Sequence, residues 1–220
     1  MGLARGLERR LERLVDGLAA RLFRGRVHPI ELGSRLVREA DLALFDTPGG
    51  PGAPNAFRVV LGGEPEEAPI LTEVCRELAR YVEDAAFDRG WRLEGPAQVE
   101  VAFVPGDRAS DVQITAAVSP ATRPPWARFE SLTGGTATDI RVNRSVIGRS
   151  GVCDVHIPAE DVSRQHAVVW QEAGSMWIAD IGSSNGTYVN GERTTGAATL
   201  VEGDRVAFGE TEFTFRIAET

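Results

Sequence analysis

Three short clusters of polar residues and glycine lie between apolar runs in the stretch from Ile147 to Gly191. Their side chains offer a forked guanidinium, hydroxyls and a carboxamide, which are groups that bind the oxygens of a phosphate on a peptide. The clusters are Gly148-Arg149, Ser163-Arg164-Gln165-His166 and Ser184-Asn185-Gly186-Thr187. These residue types predict a phosphate-binding site built on loops.

A phosphothreonine carries a charge of about −1.5 to −2 and three acceptor oxygens, so a site for it needs a fixed cation and neutral donors. Arg149 follows an apolar segment and supplies the guanidinium, and Ser163 supplies a hydroxyl. Asn185 can donate and accept, which suits the backbone of an extended peptide, and Gly186 permits a tight turn. We therefore expect Arg149 and Ser163 to contact phosphate and Asn185 to contact peptide backbone.

The loops need a rigid scaffold, and the chain from Trp126 onward has the pattern of short strands and frequent turns that is typical of a β-sandwich. Strands are predicted at 127–132, 138–142, 145–148, 167–172, 175–181, 187–189, 205–208 and 212–217. The expected core residues are Val168, Trp170, Trp177, Ile178, Phe208, Phe213 and Phe215. The fold predicted for 126–220 is all-β.

Residues 1–119 have a different pattern, in which apolar residues recur at helical spacing. Helices are predicted at 2–23, from Pro29 to about residue 44, and at 66–89, and strands at 56–62, 97–104 and 111–118. Residues 46–55 are predicted to be a loop, and Cys75 a small core residue. The order α-α-β-α-β-β predicts an α+β domain with a small antiparallel sheet.

The first helix has two interpretations. Its leucine stripe can pack on its own domain or pair with a second copy of the chain, which would give self-association through the N-terminal helices. Alternatively it can lie on a membrane surface, because residues 1–26 hold seven arginines and three acids. No apolar run approaches about 18 residues and no signal peptide is evident, so we expect a cytoplasmic protein.

The composition argues against several classes of function. The net charge is −8 over 220 residues, which argues against nucleic-acid binding because that requires a basic surface. All 24 basic residues are arginine, the better bidentate phosphate ligand. Cys75 and Cys153 form neither a disulfide framework nor a paired metal-ligand spacing, and we expect no cofactor and no metal.

A proline-rich linker is predicted at 120–125, between a domain at 1–119 and a domain at 126–220. Ser119–Pro125 contains three prolines, which stiffen it toward polyproline II. At about 3 Å per residue it spans roughly 20 Å. We therefore expect the two domains to stay at a nearly fixed distance.

Together with Asp180-Ile181-Gly182 before the third cluster and Val189-Asn190-Gly191 after it, the three clusters resemble a forkhead-associated (FHA) domain over about 126–218. The resemblance implies that Arg149 and Ser163 contact phosphate and that Asn185 holds peptide backbone. It also implies that Arg164 lines the site and that Ser184 touches the peptide, while Gly148, His166, Gly186 and Thr187 support the binding loops.

Two chemical alternatives are weakened by this resemblance. Ser163, His166 and nearby aspartates suggest hydrolase chemistry, but the matching histidine of the family is structural. Asp154 and His156 suggest two metal ligands, but they lie where the family has a turn and a strand. Neither catalysis nor metal binding is therefore expected.

The N-terminal half resembles actinobacterial FhaA-type proteins, the DUF3662 family. The resemblance rests on Phe23-Arg24-Gly25, on Val27-His28-Pro29-Ile30-Glu31-Leu32 and on Asn55-Ala56-Phe57-Arg58-Val59. It implies an adaptor that works with transmembrane Ser/Thr kinases in control of cell-wall synthesis or division.

We therefore expect a non-enzymatic adaptor whose partners are Thr-phosphorylated proteins, either a Ser/Thr kinase or its substrates. The alternative is a membrane-surface scaffold targeted by the first helix, with recruitment to the inner face of the membrane.

Overall fold

The computed structural model describes residues 29–62, 68–104, 112–134 and 137–218. The helix predicted at 2–23, and with it the choice between membrane contact and pairing, lies outside the described residues. The first of two compact units draws on Met1–Phe45, Ala53–Ala86 and Leu93–Ala121, and the second on Asp46–Gly52, Phe87–Arg92 and Thr122–Thr220. The linker at 120–125 and the domain boundaries remain predictions.

Two amphipathic helices are described, and each buries one stripe. Helix α1 spans Pro29–Leu42 and α2 spans Ala68–Asp88. The buried residues of α1 are Leu32, Leu36, Val37 and Ala40, and those of α2 are Val74, Leu78, Val82 and Ala86. Cys75 lies beside the buried stripe of α2 and is half-buried, so it is not the core residue that was expected. Neither helix combines the length and apolar character that crossing a membrane requires.

The first unit contains a three-stranded sheet in the order β4-β3-β5, formed by Ala56–Gly62 (β3), Gln98–Val104 (β4) and Gln113–Ala117 (β5). Strand β3 pairs parallel with β4 and antiparallel with β5. The α+β class is confirmed, but the sheet is mixed rather than antiparallel. Helix α2 lies between β3 and β4 in the chain, and a helical crossover is what allows two strands to run parallel.

Residues 46–55, predicted to be a loop, contain part of a small hairpin. Strand β1 spans Phe45–Thr47 and β2 spans Gly50–Gly52. The Thr47 hydroxyl donates to the Gly50 carbonyl at 2.6 Å, and Gly50 has a φ of 118°. A two-residue connection rich in proline and glycine has the composition of a loop, which is why the hairpin is hard to predict from sequence.

The second unit is a sandwich of two sheets, as predicted. The strands are Ala127–Ser131 (β6), Ala137–Ile140 (β7), Ser145–Gly148 (β8), Val155–His156 (β9), Ala167–Glu172 (β10), Ser175–Asp180 (β11), Thr187–Val189 (β12), Glu192–Arg193 (β13), Ala198–Leu200 (β14), Arg205–Phe208 (β15) and Thr211–Ile217 (β16). One sheet has the order β14-β11-β10-β8-β9 and the other β13-β12-β15-β16-β6-β7. The short strands β9, β13 and β14 had no pattern long enough to predict them.

Aromatic residues dominate the sandwich core. The Phe129 ring packs against Phe208, Phe213 and Phe215 at centroid distances of 5.5 to 5.9 Å. Ile178 contributes from the opposite sheet to the same buried cluster. The predicted core positions Ile178, Phe208, Phe213 and Phe215 are therefore confirmed.

Three predicted core residues lie elsewhere. Val168 and Trp170 are buried but do not belong to the sandwich core, because alternation along β10 turns them away from Val169. Trp177 is half-buried and stacks on Trp170 at 6.3 Å. The Arg144 guanidinium lies 4.9 Å from the Trp170 ring centroid, so a charged side chain covers this outer face.

Replacement of the central core aromatic measures how much the sandwich depends on it. Phe129→Ala should lower the free energy of unfolding by about 3–5 kcal/mol, because it leaves a cavity among three other rings. Equilibrium urea unfolding provides the measurement. Ile217→Ala, at a 40% exposed position, is the control and should cost far less. Equal losses in the two variants would contradict the described core.

Candidate functional site

Side chains from three loops line one groove of about 580 Å³ in the second unit. The loops lie between β8 and β9, between β9 and β10, and between β11 and β12. The lining residues are Arg149, Ser150, Ser163, Arg164, Gln165 and Ser184. Four of the five predicted binding residues thus lie together, and the fifth, Asn185, directly follows Ser184 in the chain.

Arg149 is held in place by backbone groups and leaves its charge available. Its amide donates to the Ser163 carbonyl at 2.9 Å, and its Nε donates to the Val162 carbonyl at 3.1 Å. The residue is exposed, and within the described ranges its terminal guanidinium nitrogens have no hydrogen-bond partner. A guanidinium fixed through Nε presents its two remaining nitrogens as a fork, which suits two oxygens of a phosphate.

Gly148 ends β8, where two loops approach closely. A Cβ atom at this position would collide with the Arg164 carbonyl oxygen. The Ser150 amide donates to that same oxygen at 3.1 Å. Glycine at 148 therefore allows the loop that carries Arg149 to pack directly against the loop that carries Ser163.

Ser163 joins the second and third loops. Its Oγ accepts a hydrogen bond from the Ser184 amide at 3.0 Å. A hydroxyl can accept from one group while donating to another, so its own hydrogen remains available to a phosphate oxygen. The contact also holds the Ser184 side chain at the groove.

His166 is fully buried and braces the same two loops from below the groove surface. Its Nδ1 accepts from the Ser163 amide at 3.0 Å, and its Nε2 lies 3.0 Å from the Gly186 carbonyl. These contacts assign the proton to Nε2. The ring meets Phe208 edge-on at 5.4 Å. Both nitrogens are committed to backbone groups, so the ring is not placed to act as a base toward Ser163 Oγ.

Asp180 organises the loop between β11 and β12. Its carboxylate accepts from the amides of Gly182 and Ser183 at 2.9 and 2.8 Å and from the hydroxyls of Ser183 and Thr187 at 2.5 and 2.9 Å. Partial burial acts to raise its pKa, but these hydrogen bonds outweigh burial and leave the pKa below its usual value. The Ser183 hydroxyl in turn accepts from the Gly186 amide at 2.9 Å.

Asn185 stands at the turn before β12. Its Nδ2 donates to the Asp161 carbonyl at 2.8 Å, and its own carbonyl accepts from the Tyr188 hydroxyl at 3.2 Å. Gly186 follows with a φ of 86°, a conformation that favours glycine. The Asn185 side chain is thereby fixed while its Oδ1 and second amide hydrogen can still meet a peptide.

Asp161 is a supporting residue that the sequence analysis missed. Its carboxylate accepts from the amides of Glu210 and Thr211 at 2.6 and 2.8 Å and from the Thr211 hydroxyl at 2.8 Å. Burial acts to raise its pKa, and these bonds more than offset it, so the pKa is lowered. No local pattern pairs residues fifty positions apart. The sequence analysis also did not predict that Ser150 lines the groove.

The site is electropositive in an acidic protein. Among the described residues no ion pair links Arg149 or Arg164 to a carboxylate, whereas Arg205 pairs with Glu212 at 2.7 Å. The Asp154 carboxylate, considered above as a possible metal ligand, is bound by Arg92 and by the Val146 amide. Within the described ranges no group of three His, Cys, Asp or Glu residues is placed to hold a metal ion.

Two family models match the chain. The FHA domain model matches residues 145–209 and the model of the FhaA N-terminal domain matches residues 5–108. The chain is therefore an FHA-domain protein. Its two domains, in this order, are those of an FhaA-type protein.

Curated relatives share part of this chain. The transcriptional regulatory protein EmbR of Mycobacterium tuberculosis is 34% identical over 92 residues, which cover 42% of this chain and 24% of EmbR. The glycogen accumulation regulator GarA of Mycolicibacterium smegmatis is 40% identical over 68 residues, covering 31% of this chain and 42% of GarA. The chain thus spans less than half the length of these relatives.

A solved structure is also similar to part of this chain. The FHA domain of FhaA, solved in complex with the intracellular domain of Rv3910, is 26% identical, with coverage of 41% of this chain and 99% of that chain and a TM-score of 0.38.

The hydrogen bonds to Asp180 generate a pH-dependent prediction. Its pKa is lowered in the folded state, so the ionised carboxylate stabilises the fold above its unfolded pKa, and this stability is lost as the pH falls through the folded pKa. Asp180→Asn should cost about 1–3 kcal/mol at pH 7. The difference from wild type should shrink below about pH 4.

Urea unfolding at a series of pH values measures this difference. Asp139→Asn is the control, because Asp139 forms a half-exposed ion pair with Arg141 and should cost little. A cost for Asp180→Asn that does not change with pH would show that the carboxylate charge is not what stabilises the loop.

Proposed function

We propose that the FHA domain binds a phosphothreonine-containing segment of a partner protein, and that the chain is a non-enzymatic adaptor in bacterial Ser/Thr kinase signalling. The observation that carries this proposal is the Arg149 guanidinium, anchored through Nε to the Val162 carbonyl and exposed in one groove with Ser163 and Arg164.

The proposed contacts follow from the donors in the groove. Arg149 binds two phosphate oxygens, the Ser163 hydroxyl binds a phosphate oxygen, and Arg164 binds either the phosphate or an acidic side chain of the peptide. The Ser184 and Asn185 side chains hold the backbone of the bound peptide. Threonine is proposed as the phosphorylated residue because of the FHA family.

The magnitudes suit a reversible interaction. Hydrogen bonds to charged groups contribute about 1.5–3 kcal/mol each. Three or four of them, less the cost of association, correspond to roughly −8 kcal/mol, or micromolar affinity. Such an affinity allows release when a phosphatase removes the phosphate.

A binding function is favoured over hydrolysis by the arrangement of Ser163 and His166. The Ser163 backbone amide donates to His166 Nδ1, and the Ser163 hydroxyl accepts from the Ser184 amide. A serine nucleophile needs its hydroxyl bonded to a base, and neither contact provides this. The curated relatives EmbR and GarA are described as regulators, which agrees with an adaptor.

The pathway is a finer proposal that depends on the N-terminal domain. The FhaA model match over 5–108 supports an adaptor that acts with transmembrane Ser/Thr kinases in cell-wall synthesis or division. We further propose a cytoplasmic protein that is recruited to the inner face of the membrane by a phosphorylated membrane partner.

Loss of the central cation should abolish most of the phosphate-dependent affinity. Arg149→Ala should weaken binding of a phosphothreonine peptide by at least about 2 kcal/mol, because a charged contact is lost. Isothermal titration calorimetry with phosphorylated and unphosphorylated forms of one peptide measures the effect, and a degenerate phosphothreonine library supplies that peptide.

Arg205→Ala is the matched control. Arg205 is an exposed arginine of the same domain, paired with Glu212, and is absent from the groove lining. Its removal should leave the affinity unchanged. Equal affinities of wild type and Arg149→Ala, or equal binding of the unphosphorylated peptide, would refute the proposed function.

A further inference from the structure

The second unit contains a segment that lies well before the FHA motifs in the sequence. Phe87–Arg92 belongs to this unit and is hydrogen-bonded to it. The Ala173 amide donates to the Asp88 carbonyl at 3.1 Å, and Asn143 Nδ2 donates to the Trp91 carbonyl at 3.1 Å. Arg144 Nε donates to the Gly90 carbonyl. Contacts at Asp88, Gly90 and Trp91 therefore hold the segment in place.

Arg92 ends this segment with a bidentate ion pair. Its two terminal nitrogens lie 2.7 and 2.8 Å from the two carboxylate oxygens of Asp154. The side chains are only 12% and 19% exposed. Arg92 also donates to the Arg144 carbonyl at 3.1 Å. A fork-to-fork pair with this little solvent contact fixes orientation far better than an exposed pair does.

The Asp154 carboxylate connects this pair to the groove. The oxygen that binds Arg92 at 2.7 Å also accepts from the Val146 amide at 2.8 Å. Val146 lies in β8, which ends directly before Arg149, while Asp154 directly precedes β9. One carboxylate therefore joins the two ends of the loop 149–154.

We propose that Arg92 is a positioning residue of the phosphopeptide site, and that its ion pair with Asp154 orients Arg149 by closing the loop 149–154 at its base. This inference rests on the proposed function. Arg92 lies within the match to the FhaA N-terminal domain and outside the match to the FHA domain. Affinity for phosphopeptide would then depend on a residue that the FHA motif does not contain.

Arg92 would act on the phosphopeptide through the position of the loop rather than through its own charge. Arg92 is not among the residues that line the groove. Its positive charge is compensated by Asp154. Arg92 must therefore affect the ligand by changing the conformation of the loop. Two backbone hydrogen bonds depend on that conformation, from the Arg149 amide to the Ser163 carbonyl and from the Ser150 amide to the Arg164 carbonyl.

The test uses the full chain and Arg92→Gln, which removes the charge and the fork. We expect phosphothreonine-peptide affinity to fall about tenfold, a size typical of residues that act through others. Arg92→Lys, which keeps the charge without the fork, should recover part of the loss. Arg141→Gln breaks the Arg141–Asp139 pair of the same unit and should leave affinity unchanged.

A second measurement does not need the peptide. Amide hydrogen exchange at Arg149 and Ser150 should accelerate in Arg92→Gln, while amides of the core strand β16 exchange as in wild type. This pattern, with reduced affinity and partial recovery by lysine, supports a positioning role. Uniformly faster exchange with unchanged affinity in the folded protein overturns it, as does wild-type behaviour of Arg92→Gln in both measurements.

The two proposals fail in different ways. Absence of phosphopeptide binding by the wild-type chain would refute the proposed function and this inference together. Binding by wild type, with the same affinity in Arg92→Gln, would refute only the role of Arg92.

Discussion

The buried imidazole of His166 is the interaction on which the groove depends. Its two nitrogens bind the Ser163 amide and the Gly186 carbonyl, so a single side chain holds two of the three binding loops. Its ring packs on Phe208, which belongs to the aromatic core. The spacing between Ser163, the proposed phosphate ligand, and the turn at Asn185 is thereby set by the core itself, and a loop site gains the rigidity of a packed interior.

The acidic side chains near the groove are used in hydrogen bonds within the loops, whereas the arginines lie at the groove surface. Asp161 and Asp180 are close to the loops in sequence, but their carboxylates are saturated by amides and hydroxyls within the protein. Among the described residues, no ion pair joins the guanidinium of Arg149 or Arg164 to a carboxylate. The acids therefore build the loops without neutralising the two cations of the groove, even in a chain of net charge −8.

Features with a local signal could be predicted from the sequence. Strands such as β8, β10 and β12 follow from short apolar runs bounded by turn residues, and the three polar clusters follow from their motifs. The supporting contacts could not be predicted, because Asp161 meets Thr211 and Arg92 meets Asp154 only through tertiary packing. The direction of β4 depends on a crossover rather than on its own residues, and Trp177 shows that alternation gives two faces without saying which one is the core.

The structure that supports the FHA motif extends beyond the residues that the family model matches. The family model ends at residue 209, yet the core rings of Phe129, Phe213 and Phe215 lie outside it. On the outer face of β10, Trp170 lies inside the match, but the Arg144 guanidinium that covers it and the Gly90 carbonyl that accepts from Arg144 lie outside it. The three polar loop clusters are recognisable because few residue types supply the donors proposed for a phosphate, whereas any apolar residue of suitable shape can fill a core. A motif therefore marks the site, and the interactions that keep the site in shape must be read from the fold.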